Sequence, residues 1–185
     1  MANEKIVYGL KNLHYALVTV GDAGAVTYGT PVSIPGARSI SLSTVGEDTK
    51  KYADDIVYVT LSSNQGYDGN IVVLTFGDDL AKALLGQTVD KDGALFESTN
   101  DVKPQFALLG EMSTEGTAKK KFVLYNCTAG RPEFSGTTKE DTVEAQEFSI
   151  PITASPATDT GYVKATSFSA DDSWYTSVHT FKAQA

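Results

Sequence analysis

At 185 residues, with 41% apolar residues, nine Tyr and eight Phe, the chain is long enough for one domain with a sizeable core. Fifteen Lys and Arg against 23 Asp and Glu leave a formal charge of −8. That balance speaks against a protein that grips a phosphate backbone, because such affinity comes from basic side chains releasing counterions. The single Cys127 excludes an internal disulfide framework and a cysteine-based zinc cluster. No apolar run approaches a membrane span. Met1 to Lys5 lacks the basic and apolar regions of a secretory signal, so a cytosolic product is expected.

In chain order, Tyr15, Leu17 and Thr19 alternate with Ala16, Val18 and Val20 as a strand, ended by Gly21-Asp22-Ala23-Gly24. Pro31 and Pro35-Gly36 punctuate the route to a half-buried strand in which Ile40 and Leu42 alternate with Ser39, Ser41 and Ser43. The charged segment from Val45 to Asp55 reads as a polar loop before the apolar strand Ile56 to Leu61. Asn64 to Gly69 is expected to turn the chain back into a strand from Ile71 to Phe76. Asp78 is the expected N-cap of a two-turn helix, Asp79 to Leu85, with Gly86 in the left-handed C′ position. Leu80, Leu84 and Leu85 are expected to cover one face of a sheet.

After the helix, Asp90 to Gly93 makes a turn. Phe106, Leu108 and Met112 share one face of the next strand, which turns near Ser113 to Gly116. Its hairpin partner runs from Lys119 to Thr128, with Phe122 and Leu124 facing oppositely to Val123 and Tyr125. The run Lys119-Lys120-Lys121 reads as a solvated strand end, and Gly130-Arg131-Pro132 breaks the strand. An acidic stretch carries Glu140, Asp141, Glu144 and Glu147 against Lys139. Beyond it Phe148, Ile150 and Ile152 alternate, and Pro151 points to an edge strand or a strand end. Tyr162 to Phe168 suggests a further strand and Trp174 to Phe181 a last one. The sum is a single domain, residues 1–185, mainly β: a sandwich or distorted barrel of eight or nine strands with one short helix on its side. The open edges of such a sheet invite pairing with other chains unless neighbours close them.

No constellation of reactive groups stands out. Sequence spacing does not rule out a triad through His14 or His179, but no Gly-x-Ser-x-Gly elbow is present, and both histidines read as structural or solvated. Of the adjacent pairs Asp54-Asp55, Asp78-Asp79 and Asp171-Asp172, the first would point to opposite faces of a strand, and Asp78-Asp79 is explained by capping and the helix dipole. Asp90-x-Asp92-Gly93 with Glu97 has the wrong glycine position for a calcium loop, and a β-turn is the simpler reading. Asn126-Cys127-Thr128 matches a glycosylation sequon that matters only in a secreted protein. No catalytic, cofactor or metal residue is assigned.

Several motifs taken together resemble a known family. They are Gly9-Leu10-Lys11-Asn12-Leu13-His14-Tyr15-Ala16, Pro35-Gly36-Ala37 before a Ser-rich strand, and Tyr52-Ala53-Asp54-Asp55 before an apolar strand. Leu84-Leu85-Gly86, Asp92-Gly93, the Phe106 to Tyr125 hairpin and the segment from Thr142 to Ile150 continue the series. In this order and spacing they are similar to the major tail (tail tube) proteins of long, non-contractile-tailed phages of Gram-positive bacteria. The resemblance implies a β-sandwich subunit with a flanking helix, assembled as six-membered rings stacked into a tube. It implies partners as well: other copies of the chain, a tape-measure protein, distal tail and tail terminator proteins, and DNA only in passage. It implies no cofactor, no membrane and no catalysis, in a virion component made in the host cytoplasm. The polar segment Val45, Gly46, Glu47, Asp48, Thr49, Lys50, Lys51 and Tyr52 is the expected ring-stacking contact, mobile in the monomer and ordered against the next ring. A carbohydrate- or host-surface-binding sandwich, and a tube subunit of a contractile or secretion-type system, are the alternatives the residues leave open.

Overall fold

Two neighbouring strands carry apolar side chains on both faces, and the other elements are arranged around them. These are β10 (Phe106–Thr114) and β11 (Lys119–Ala129), an antiparallel hairpin. Phe106, Leu108, Phe122 and Leu124 face one core cluster, whereas Ala107, Leu109, Val123 and Tyr125 face a second. The computed structural model describes residues 6–22, 24–136, 138, 145–169 and 171–183.

Among the described residues, nine strands form one sheet. β1 (Val7–Val20) pairs with β10 and also with the short β2 (Val26–Tyr28) and β3 (Val32–Ser33). On the other side β11 forks. Its first half, Lys119 to Leu124, pairs with β13 (Lys164–Ser169), and its end, Asn126 to Ala129, pairs with β12 (Phe148–Ser155). β12 continues to β7 (Gly66–Val73), and β7 to β4 (Ala37–Val45). Every pairing is antiparallel, and the sheet does not close into a barrel. Two small ribbons stand apart: β5 (Asp48–Ala53) with β6 (Ile56–Ser62), and β8 (Thr88–Val89) with β9 (Leu95–Phe96).

The helix α1 (Asp78–Leu85) packs on the first cluster, with Leu80, Leu84 and Leu85 all buried as expected. Burial of each contributes roughly 1.5–3 kcal/mol. The cap differs by one residue: Gly77 is the N-cap and makes no side-chain cap bond, and Asp78 and Asp79 stand in the first turn, where carboxylates favour the positive end of the helix dipole. Gly86 closes the helix in the left-handed region, φ 74°.

Two further expectations are corrected. Pro151 lies within an interior strand, since β12 sits between β11 and β7. The Pro151 carbonyl accepts from the Gly130 amide at 2.7 Å, just past the last β11 partner, Ala129. The missing N–H would point to the same side, so the Gly130–Pro151 pair keeps one bond of its two and lacks the reciprocal donor at the last position of the β11 ladder. The segment from Trp174 to Phe181 is not a strand. A single 3-10 turn, Asp172–Tyr175, leads into a strap that presses Trp174 and Val178 onto the second cluster.

Candidate assembly interface

The sequence from Ala37 to Val73 forms one long interrupted hairpin. β4 and β7 make its base, paired through Val45 and Gly66. The Gln65 amide donates to the Val45 carbonyl at 2.9 Å and the Ser63 amide to the Glu47 carbonyl at 3.3 Å, which joins the base to the β5–β6 ribbon. Two-residue hairpin loops favour positive φ at both central positions, and Asp54 and Asp55 adopt φ 51° and 61° at the tip.

Gly46 lets the arm leave the sheet. It has φ +145°, and a Cβ there would lie 2.0 Å from the Ser63 carbonyl oxygen. Only glycine fits that approach.

The segment expected as a polar loop is thus largely a strand. Asp48 to Ala53 pair with Ser62 to Ile56, and the ladder satisfies backbone groups that a loop would give to water. The turn expected at Asn64 to Gly69 does not pair the apolar strand with Ile71 to Phe76 either. The partner of β6 is β5, and Gly66 already belongs to β7.

Among the described residues nothing covers this ribbon. All residues of β5 and β6 are exposed, including Tyr52, Ile56, Val57, Tyr58, Val59 and Leu61, which range from 40% to 76%. Tyr52 pairs with Val57 and Lys51 with Val59, so Tyr58 is an extra residue at a bulge. The bulge changes the faces. Ala53–Ile56, Lys51–Val59 and Thr49–Leu61 are the cross-strand pairs of one side, which gathers Ile56, Val59 and Leu61 together. Simple alternation along β6 would have separated Ile56 from the other two.

The buried charged side chains of the body, Glu111 and Lys121, are both held by partners within the fold. The Lys119 to Lys121 run is not simply a solvated end. Lys121 is fully buried, its Nζ 2.7 Å from Asp172 Oδ1, bonded also to the Asp171 carbonyl, and 5.0 Å from the Tyr175 ring centre. Glu111, 1% exposed, accepts from Asn12 Nδ2 at 2.8 Å and Tyr175 Oη at 2.9 Å and pairs with Lys119 Nζ at 2.8 Å. Burial and the bond to Glu111 push the Tyr175 hydroxyl far above its usual range, and the same carboxylate raises Lys119.

His14 packs on Tyr175, and His179 stacks on Trp174 at 4.6 Å between ring centres. Asp90 uses its carboxylate on the amides of Asp92 and Ala94, as a turn requires. No group of three metal-ligating side chains occurs among the described residues, and no helix is long and apolar enough to cross a membrane. The acidic residues Glu140, Asp141 and Glu144 lie outside the described residues. Glu147 pairs with Arg38 of β4.

A body whose two buried charges, Glu111 and Lys121, are paired within its own fold, carrying an apolar arm that no described residue covers, is equipped for contact with other chains. A family model described as phage tail tube protein matches residues 1–170. The chain belongs to this family. No curated protein matches it significantly. As a tail tube protein it has a structural role, self-assembling into the tube of the virion tail with other tail components.

The expected stacking residues Val45 to Tyr52 lie at the root and along one strand of the arm. The other strand, Ile56 to Ser62, was missing from that expectation because its apolar run reads as a core strand. The available signal was Asp54-Asp55, two turn-prone residues between two strands of matching length.

Proposed function

We propose that this tail tube protein forms six-membered rings that stack into a tube, and that the β5–β6 arm makes the ring-to-ring contact. Val45 to Tyr52 belong to that contact together with Ile56 to Leu61. The observation that carries the reading is the arm itself: six large apolar or aromatic side chains exposed on a ribbon against which, among the described residues, nothing packs. An isolated two-stranded hairpin is marginal in water, and exposed strand edges with apolar side chains are liabilities that a monomer would suppress. An arm that a neighbour covers is relieved of both costs.

In this reading the tube surrounds a tape-measure protein during assembly, ends at distal and terminator proteins, and later conducts DNA without catalysis. The net charge of −8 suits a conduit. A duplex carries a charge about every 1.7 Å, and a basic wall would hold it by counterion release. Screening over about 8 Å at physiological salt leaves the lumen-facing charges in control.

The test replaces residues 46–65 with an Asn-Gly turn that joins β4 directly to β7. Deleting only Gly46 to Lys51 would strip β5 from β6 and leave the apolar strand unpaired, so the whole arm is removed. The variant is expected to melt as the wild type does and to form no tubes under negative-stain microscopy. Wild-type tubes with six-fold end views support the ring number. Tubes of normal length from the armless variant would overturn the stacking role.

A further inference from the structure

The fork in the sheet leaves a cleft of about 270 Å³ between its branches. Ile40 and Leu42 of β4 and Met112 of β10 line it, with Lys120 of β11 and Lys164 of β13 on its walls. Ile40, Leu42 and Met112 stay half-buried, so the cleft is apolar and accessible. Both lysines lean on aromatic rings. Lys120 Nζ is 5.8 Å from the Phe168 ring centre, and Lys164 Nζ is 4.4 Å from that of Tyr67 and 2.8 Å from its hydroxyl. Among the described residues neither lysine makes an ion pair. In a chain with eight more acidic than basic residues, 23 against 15, two lysines without carboxylate partners beside an apolar cleft favour an acidic guest with apolar flanks.

The arm of the same chain ends in such a group. Asp54-Asp55 turn at its tip between Tyr52 and Ile56, which are 67% and 64% exposed. The dozen residues from Leu42 to Asp54, at about 3.3 Å each, carry the tip up to roughly 40 Å from the cleft. The β4–β7 ladder and its continuation into the arm hold the tip away from the cleft of its own chain. A second copy, displaced along the arm by that distance, brings its cleft to the tip. Resting on the reading that the arm joins successive rings, we propose that the Asp54-Asp55 tip of one copy docks in the Ile40–Leu42–Met112 cleft of the next, its carboxylates against Lys120 and Lys164.

Charge exchange tests this pairing. Lys120→Glu with Lys164→Glu is expected to abolish tubes while the monomer stays folded. Asp54→Lys with Asp55→Lys is expected to do the same, and all four substitutions in one chain are expected to restore assembly. Crosslinking reads the contact directly: Asp55→Cys mixed with Lys164→Cys should give, on oxidation, a disulfide-linked dimer that neither variant forms alone. The lysine variant assembling normally, the fourfold variant failing to recover, or the mixture giving no such dimer would each overturn the docking. If the armless variant forms no tubes while the lysine variant does, the stacking role stands and the cleft takes another guest.

Discussion

Lys121 Nζ and Asp172 Oδ1 are 2.7 Å apart, the lysine wholly buried and the aspartate 68% exposed. The pair ties the C-terminal strap to the start of β11 across 51 positions of sequence. It is also the boundary of the second core cluster. Lys121 reaches past the Tyr175 ring to the strap backbone, and beyond that turn Trp174 and Val178 cover Val123 and Leu109. Without the strap, the second face of β10 and β11 would meet water.

Glu111 holds the same strap from the β10 side through Tyr175. Glu111→Ala leaves Asn12, Lys119 and Tyr175 without their common acceptor, and is expected to lower stability by about 3 kcal/mol. Glu111→Gln, which keeps an acceptor oxygen, should cost less. Urea unfolding followed by the fluorescence of Trp174, the single tryptophan, measures both. Equal stability of all three proteins would show that the network contributes nothing.

The strap also sets an acid response. The Lys121 hydrogen bond and charge hold Asp172 below the ordinary carboxylate value of 3.8, and bonds from Ser173 do the same for Asp171. Such a group takes up its proton more readily when unfolded. Its contribution is therefore complete above the ordinary value and disappears as pH falls through the lower folded one. Asp172→Asn is expected to be less stable than the wild type at pH 7 and to lose stability less steeply below about pH 4. Denaturation midpoints across that range check it, and parallel curves for the two proteins would contradict it.

Leu84 has no exposed surface beneath the helix. Leu84→Ala is expected to cost about 2–5 kcal/mol through the cavity it leaves. Leu84→Asp should prevent folding, because an unpaired carboxylate cannot be carried there. Thermal melting by circular dichroism distinguishes these from the arm variants, whose melting should match the wild type.

Cys127 is fully buried between the β11 neighbours, and burial pushes its thiol up to about 12. Only the thiolate reacts. The native protein is expected to resist a thiol reagent at pH 8 and to react promptly in guanidinium chloride. Rapid native labelling would reveal opening of the sheet at the fork.

Much of the fold was legible from near neighbours in the chain. Phe122 and Leu124 lie opposite Val123 and Tyr125 because a strand alternates, and the helix ends at Gly86 because that residue accepts a left-handed turn. The family was legible too, in motifs spread through the chain. The segment from Val45 to Tyr52 reads as a polar loop in the sequence, whereas Asp48 to Ala53 form a strand paired with Ile56 to Ser62.

What stayed hidden depends on residues distant in sequence. Ile56 to Leu61 and Ile71 to Val73 are similar apolar runs, yet the first is exposed and the second contains the fully buried Ile71 and Val73. Lys121 has two lysines before it and looks solvated until Asp172 and Tyr175 arrive from the far end of the chain. Alternation and turn chemistry arise from each residue and its neighbours along the backbone, so the sequence determined the strands, the helix and most of their faces. Burial arises from what packs across a face. Only the tertiary structure decided that β10 and β11 are covered on both faces, that the sheet forks, and that the arm stays exposed among the described residues.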